Sequence, residues 1–217
     1  MSKNNKIILN KDKIEKHYFY RFTKRLFDIL ASLIGLVILS PVFLIVAIAI
    51  KIDDGGPIFY NQERIGKNGK EFKMYKFRSM KVNADQELEK LIHKNEVDGA
   101  MFKMKDDPRI TRVGKFIRKT SIDEFPQLLN VLFGQMSIVG PRPPLPREVK
   151  MYTDYDWQRL YVRPGCTGLW QVTVRNSVGF HEMVNIDLEY IQKRGFWLDI
   201  KIMFKTIKII FVPNSAY

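Results

Sequence analysis

The grouping with the clearest chemical capacity in this sequence is a pair of adjacent carboxylates, Asp123 and Glu124, in the segment TSIDEFP. A carboxylate can act as a nucleophile or hold a hard cation such as Mg²⁺. The same pattern also allows a structural role, in which Ser121 caps a helix and Glu124 returns the hydrogen bond. Pro126 instead favours a helix that starts later, with proline in its first turn. In both cases the carboxylates lie at the positive end of a helix, which favours their ionised form.

Basic side chains occur on both sides of this pair in the sequence. They are Lys76 and Arg78 in KFRSM, Arg118 and Lys119 just before the pair, Arg142 in GPRPPLP, and Arg175 in VRN. Any one of them could belong to a solvated surface. Arginine, however, binds phosphate in a bidentate manner, and several of these residues stand near glycine or proline, where a loop restricts the side chain. A basic site with ionised carboxylates indicates a phosphorylated substrate, with Arg78 and Arg142 among its phosphate-binding candidates.

The sequence also contains a long apolar segment. Residues 29–50 contain no ionisable side chain and exceed the roughly 20 residues that a helix needs to cross a bilayer. A secretory signal is the alternative, but the segment is too long and too far from Met1, and no small-residue cleavage pattern follows it. The sequence therefore predicts a membrane segment.

Ser40 and Pro41 stand in the middle of this segment, where proline removes a backbone hydrogen bond and kinks a helix. The Ser40 hydroxyl can donate a hydrogen bond to part of the backbone carbonyls that lose their partner at the proline. Both flanks of the segment are basic, and the positive-inside rule places basic flanks in the cytoplasm. These features favour a re-entrant helix that enters and leaves the same face over a straight span.

The remaining pattern predicts a helix-rich α+β fold. We divide the chain into an interfacial basic and aromatic N-terminus (residues 1–28), the re-entrant helix (29–50) and a catalytic domain (51–217).

A hairpin is predicted from strands 58–64 and 72–77 around a glycine-containing turn, and Gly140 opens a stiff proline loop. Predicted helices cover residues 85–95, Arg112–Lys119, and 127–133 ended by Gly134. Residues 17–27 and 196–211 are predicted to be interfacial; for the second, a helix packed on the core is equally compatible.

Composition excludes several classes of protein. The chain has 217 residues, a formal net charge of +13 and 46% hydrophobic residues, which excludes a disordered chain. The single cysteine, Cys166, excludes an internal disulfide and a cysteine-based zinc site.

A non-catalytic, membrane-tethered basic module that binds anionic lipid or nucleic acid is the main alternative to an enzyme, but no recognised nucleic-acid motif is present. A serine or cysteine hydrolase lacks its nucleophile elbow.

A series of motifs follows along the chain: KFRSM, then RKTSIDEFPQLLNVLFGQMSIVGPRP, then RPGCTGLWQV with VRN, and finally DLEYI before WLDIKIM. In this order they resemble the bacterial sugar transferase family, the monotopic phosphoglycosyl transferases, over residues 20–212. The resemblance implies a re-entrant membrane helix at the cytoplasmic face of the bacterial cell membrane. It also implies transfer of a sugar 1-phosphate from a UDP-sugar to undecaprenyl phosphate, with release of UMP. Glucose or galactose is the expected sugar, in capsule or exopolysaccharide synthesis.

Functional positions follow from the same resemblance. Asp123 matches the nucleophile that forms a phosphosugar-aspartate intermediate, and Glu124 matches the Mg²⁺ ligand. The other matching positions are Lys76, Arg118, Asp187 and Arg175, of which Arg175 is implied as a phosphate contact. Val174 stands where the family usually has glycine. Membrane lipid is an expected partner and nucleic acid is not, and the resemblance leaves open whether the chain acts alone or as a homodimer.

Overall fold

The computed structural model describes residues 6–91, 104, 107–174 and 178–211. Its helices are α1 (Lys11–Glu15), α2 (Tyr18–Asp54), α3 (Ala84–Leu91), α4 (Arg112–Lys119), α5 (Gln127–Leu132), α6 (Pro146–Val149), α7 (Asp154–Trp157), α8 (Leu169–Thr173), α9 (Phe180–Lys193) and α10 (Phe196–Phe211). Its strands are β1 (Phe59–Ile65), β2 (Glu71–Phe77), β3 (Ser137–Val139) and β4 (Gly165–Thr167). The helix-rich α+β class predicted from the sequence is confirmed.

Helix α2 contains the apolar segment and extends beyond it at both ends. Its 37 residues correspond to about 55 Å at 1.5 Å per residue. By length and composition it is a candidate for a membrane helix, and most of its apolar side chains are exposed. The predicted interfacial residues 17–27 belong almost entirely to this helix, so residue 28 is not a structural boundary.

The helical assignment continues through Pro41. Proline has no N–H, so the carbonyl of Val37, four residues earlier, loses its usual helical partner. The Ser40 hydroxyl donates to that carbonyl at 2.8 Å. The predicted compensation by Ser40 is confirmed, and it leaves the carbonyl of Val37 hydrogen-bonded where the helix passes the proline.

Both halves of α2 pack against the globular part of the chain. In the first half, Arg25 donates to the last carbonyls of α5, and Asp28 accepts from the main chain of β3. In the second half, Val46 and Ile50 form a buried cluster with Phe77 on β2 and with α4. The globular layer therefore contacts the apolar helix near both of its ends.

Two small sheets form the β part. Strands β1 and β2 pair antiparallel, with Phe59 opposite Phe77, and confirm the predicted hairpin to within one residue at each end. Strands β3 and β4 pair in parallel, which the sequence analysis did not predict. Gly165 allows this pairing to be close, since a Cβ there would lie 2.1 Å from the main-chain nitrogen of Gly140.

The segment between α4 and α5 decides between the two helix starts predicted around the carboxylate pair. Ser121 has φ 57° and makes no side-chain capping bond, and residues Ile122–Glu124 form a short 3-10 turn. Helix α5 begins at Gln127, directly after Pro126. The capping-box arrangement is therefore wrong, and the later start indicated by proline is confirmed to within one residue.

Other predicted helices agree with the structure. Helix α4 matches its predicted bounds and is capped by the Thr111 side chain, while Gly134 follows α5 with φ 80°. Helix α3 ends at Leu91, and the rest of the predicted helix 85–95 lies outside the described residues.

Helix α10 packs on the core, which is one of its two predicted roles, and exposes an aromatic ring near its start. Ile202 is buried in the main core, whereas Trp197 is 81% exposed. Asp199 faces inward, where its carboxylate accepts from Tyr20 at 2.8 Å, Lys24 at 2.7 Å and Tyr190 at 2.7 Å. This carboxylate therefore joins α2, α9 and α10, leaving an aromatic edge of α10 outside.

We expect Gly165→Ala to destabilise the protein by about 2 kcal/mol or more, because the added methyl group would overlap rigid backbone. Gly179→Ala is the matched control, since no heavy atom lies within 4 Å of a Cβ at that position. Thermal unfolding of both variants in detergent measures the difference. Equal melting temperatures would contradict the close pairing of β3 and β4.

Candidate active site

Asp123 lies at the centre of the candidate site. It stands in the 3-10 turn after α4 and is only 8% exposed. Its neighbour Ile122 packs against the buried cluster that α2 forms with β2 and α4. The carboxylate therefore lies one residue from the contact between the turn and this buried cluster.

Burial raises the pKa of the Asp123 carboxyl to about 6. Lys76 opposes the shift, the neighbouring Glu124 adds to it, and Arg118 also opposes it. At neutral pH the group remains mostly ionised, because its pKa is still about one unit lower than the pH. A carboxylate of raised basicity is also a better nucleophile, which is the property that covalent catalysis needs.

Glu124 has a different environment although it is adjacent in sequence. Its Oε1 atom lies 2.7 Å from Lys76 Nζ, and 43% of its side chain is exposed. Burial by itself would raise its pKa, but Lys76, followed by Arg142 and Arg64, outweighs burial and lowers the pKa below its ordinary value. Opposite shifts in two neighbouring acids indicate separate roles, with Glu124 the permanent anion.

Arg118 reaches the site from the last turn of α4. Its Nε donates to Ser79 Oγ at 2.8 Å, which holds the guanidinium beside the end of β2. Burial lowers the pKa of Arg118, and Asp123 opposes that shift, so the two groups interact electrostatically. The structure thus brings Lys76 and Arg118 together around Asp123, as the resemblance implies.

Arg64 is a site residue that the sequence analysis missed. It is 4% exposed, donates to the carbonyl of Pro143 at 2.8 Å and interacts electrostatically with both Glu124 and Arg142. Burial lowers its pKa to about 10, and Arg142 adds to the shift. The signal in the sequence was weak, because an arginine near the end of a predicted strand is usually a solvated edge residue. Arg142, the cation that acts on Arg64, is half-buried in the proline loop.

Asp187 is buried on α9 and pairs with Arg159. Its Oδ2 accepts from Arg159 Nε at 2.8 Å, and both residues are almost inaccessible. Burial raises the pKa of Asp187 to about 6, although Arg159 opposes the shift. Arg159 also lies 3.4 Å from the carbonyl of Arg142. The pair therefore supports the loop that carries Arg142 from beneath.

The two other predicted phosphate contacts are Arg78, which the structure describes, and Arg175, which it does not. Arg78 lies 2.8 Å from the Asp54 carboxylate at the end of α2, and its guanidinium packs against Gly56. Arg175 lies outside the described residues. Val174 ends α8 with φ −113°, a conformation open to any residue, so this backbone does not require the glycine usual in the family.

The described residues contain no group of three or more His, Cys, Asp or Glu side chains arranged for a metal. Mg²⁺ commonly uses one or two protein carboxylates together with phosphate and water. The exposed, ionised Glu124 beside Asp123 provides such a donor set. The carboxylate pair therefore fits Mg²⁺ and offers no ligands for a soft metal.

Comparison with known proteins gives a consistent result. The family described as bacterial sugar transferase matches residues 19–213. The galactosyl transferase CpsE of Streptococcus agalactiae is 46% identical over 92% of this chain and 44% of its own length. The undecaprenyl-phosphate galactose phosphotransferase of Salmonella typhimurium is 46% identical over 91% of this chain and 42% of its own length.

The chain thus spans less than half the length of these two relatives. It covers much more of the exopolysaccharide production protein ExoY of Rhizobium meliloti, which is 42% identical over 89% of this chain and 88% of its own length. Each match includes nearly all of the chain described here, including the carboxylate pair and the apolar helix.

Arg159→Met alone should destabilise the protein by about 3–5 kcal/mol, because it leaves the Asp187 charge buried without its partner. The double variant Arg159→Met/Asp187→Leu should recover most of this loss, since both charges are then removed. Chemical denaturation in detergent, read as a double-mutant cycle, measures the coupling. A double variant as unstable as the sum of the two single variants would show that the pair does not act as a unit.

Proposed function

The chain belongs to the bacterial sugar transferase family, and we propose that it transfers a sugar 1-phosphate from a UDP-sugar to undecaprenyl phosphate. The observation that carries this proposal is the buried carboxylate of Asp123, which lies next to Glu124 and interacts electrostatically with Lys76 and Arg118. Glucose or galactose is the proposed sugar, since two relatives that are each 46% identical to this chain are named for galactose and one from Klebsiella pneumoniae is named for glucose. Capsule or exopolysaccharide synthesis is the proposed pathway.

In the proposed first step, an Asp123 oxygen attacks the phosphorus that carries the sugar. A new P–O bond forms to the carboxylate, and the bond to the bridging oxygen breaks, so that UMP leaves with the electron pair. Two unit anions 4 Å apart repel by about 4 kcal/mol at an effective dielectric of 20. The nearby cations Lys76, Arg118, Arg142 and Arg64 offset this repulsion and stabilise charge on the phosphoryl oxygens.

In the second step, a phosphate oxygen of undecaprenyl phosphate attacks the same phosphorus. The bond to Asp123 breaks, the free carboxylate returns, and the product is undecaprenyl-diphosphate-sugar. Division of the transfer into two displacements predicts ping-pong kinetics.

Glu124, with Asp123 beside it, is the residue that would hold Mg²⁺. The ion would neutralise phosphoryl oxygens of the donor. Lys76 contacts Glu124 directly and keeps its carboxylate ionised and oriented.

We also propose that α2 is a re-entrant helix at the cytoplasmic face of the membrane. The support is that one globular layer contacts α2 near both ends, through Asp28 on one side and through Ile50 and Asp53 on the other. A straight span would separate those ends by the roughly 30 Å hydrocarbon core. A re-entrant helix would bring the Asp123 turn to the level at which the lipid carrier's phosphate lies.

We expect the protein to become labelled when it is incubated with UDP-galactose or UDP-glucose that carries ³²P in the β-phosphate. Asp123→Asn should abolish the label, because an amide is a far weaker nucleophile than a carboxylate. Glu124→Gln should slow labelling through loss of the cation ligand. Unchanged melting temperatures would confirm that each variant folds.

Persistent labelling of Asp123→Asn would contradict the nucleophile assignment. Absence of any Mg²⁺-dependent release of UMP from a panel of UDP-sugars with undecaprenyl phosphate would favour the non-catalytic basic module instead. The same panel identifies the sugar.

Topology can be tested with two single cysteines, Lys13→Cys before α2 and Lys70→Cys after it, in a Cys166→Ala background. Both positions are exposed. A re-entrant helix should protect both from an impermeant thiol reagent in intact cells and expose both after permeabilisation. Labelling of only one position in intact cells would indicate a straight span.

A further inference from the structure

A cavity of about 70 Å³ lies between the first turns of α2, the end of α9 and the start of β3. The described residues that line it include six cations and one acid, namely Arg21, Lys24, Arg25, Lys67, Arg163, Arg194 and Asp28. A single buried water needs about 10–15 Å³ of cavity volume, so this cavity has room for a group of about five heavy atoms. A phosphate group is of that size.

The positive charge of this cavity is only partly compensated. Lys24 pairs with Asp199 at 2.7 Å, and Lys67 lies 3.6 Å from Glu15. The four arginines instead donate to main-chain carbonyls, which orient a guanidinium without cancelling its charge. Those carbonyls belong to Glu15, Val131, Leu132, Gly134 and Ile14.

The single acid among the described lining residues, Asp28, sets one negative charge against six cations and interacts electrostatically with Lys24 and Arg163. Asp28 Oδ1 accepts from Ser137 Oγ at 3.1 Å and from the Ile138 main-chain nitrogen at 3.0 Å. The cations also crowd one another: burial lowers the pKa of Lys67, and Arg21 lowers it further. An anion placed among these side chains would relieve this repulsion.

The apolar surface beside the cavity indicates the source of that anion. On the same turns of α2, Phe19 is 82% exposed and Phe22 and Leu26 are exposed as well. Trp197 at the start of α10 adds a further exposed aromatic ring, and Phe196 beside it contacts Phe27 of α2 edge-on. Aromatic residues next to cations are typical of the headgroup layer of a membrane.

We infer that this cavity binds the phosphate headgroup of an anionic membrane lipid, at a site separate from the transfer reaction. Among the described residues that line it, none belongs to the cluster around Asp123 and Glu124, so this lipid is not the acceptor. The inference rests on the membrane placement proposed above. A lipid bound here would fix the start of α2 at the membrane surface.

The test uses the purified full chain in neutral detergent, titrated calorimetrically with dihexanoyl-phosphatidylglycerol below its micellar concentration. Dihexanoyl-phosphatidylcholine and inorganic phosphate are the two comparison ligands. We expect saturable binding of the phosphatidylglycerol and at least tenfold weaker binding of the other two.

Lys67→Gln/Arg163→Gln should weaken this binding roughly thirtyfold, since each cation near an anionic lipid contributes about a factor of five. Lys70→Gln/Lys73→Gln removes the same charge from the exposed hairpin and should leave binding unchanged. If the cavity double variant does not fold, the single variant Arg21→Gln, at an exposed position, should still weaken binding about fivefold.

Asp123→Asn should bind the phosphatidylglycerol normally, which separates this inference from the proposed catalysis. Wild-type affinity in the cavity variants would overturn the site. Equal affinity for inorganic phosphate would overturn the lipid assignment in favour of a free anion, and equal affinity for phosphatidylcholine would overturn recognition of negative charge.

Discussion

The structure depends on one packing arrangement, in which the long apolar helix α2 lies against the globular layer through both of its halves. Arg25 and Asp28 join its first half to α5 and β3, and Val46 and Ile50 join its second half to β2 and α4. The other side of the helix is exposed and apolar. Because Ile122 packs on the buried cluster that the second half of α2 shares with β2 and α4, the turn that carries Asp123 is joined to the helix through that cluster.

A second constraint is the charge of the site. The transfer proposed above would require an anionic nucleophile close to an anionic substrate. In the fold, burial raises the pKa of Asp123, while Lys76 and Arg118 oppose that shift. Glu124 remains half-exposed with Lys76, so its pKa moves the other way. Two adjacent acids thereby acquire different chemistry from burial and neighbouring cations alone.

Besides the arginines in buried ion pairs, the described residues include three sets of cations with different surroundings. One set surrounds the carboxylate pair. A second lines the cavity beside the first turns of α2, where main-chain carbonyls orient it. The third lies on the exposed surface, as with Lys201 and Lys205 on α10. Net charge alone therefore indicates attraction to anions, whereas the structure separates the cations around the carboxylate pair from those beside the first turns of α2.

Local features were readable from the sequence, because they depend on neighbouring residues. The apolar segment, the compensation of Pro41 by Ser40, the hairpin and helix α4 all follow from such short-range rules, whereas the role of Asp123 is implied by the resemblance to a family. The parallel pairing of β3 with β4, the burial of Arg64, and the pairing of Arg159 with Asp187 depend on contacts between distant parts of the chain. Side-chain periodicity carries no information about which distant charge will fill a buried position, so only tertiary packing could decide those partners.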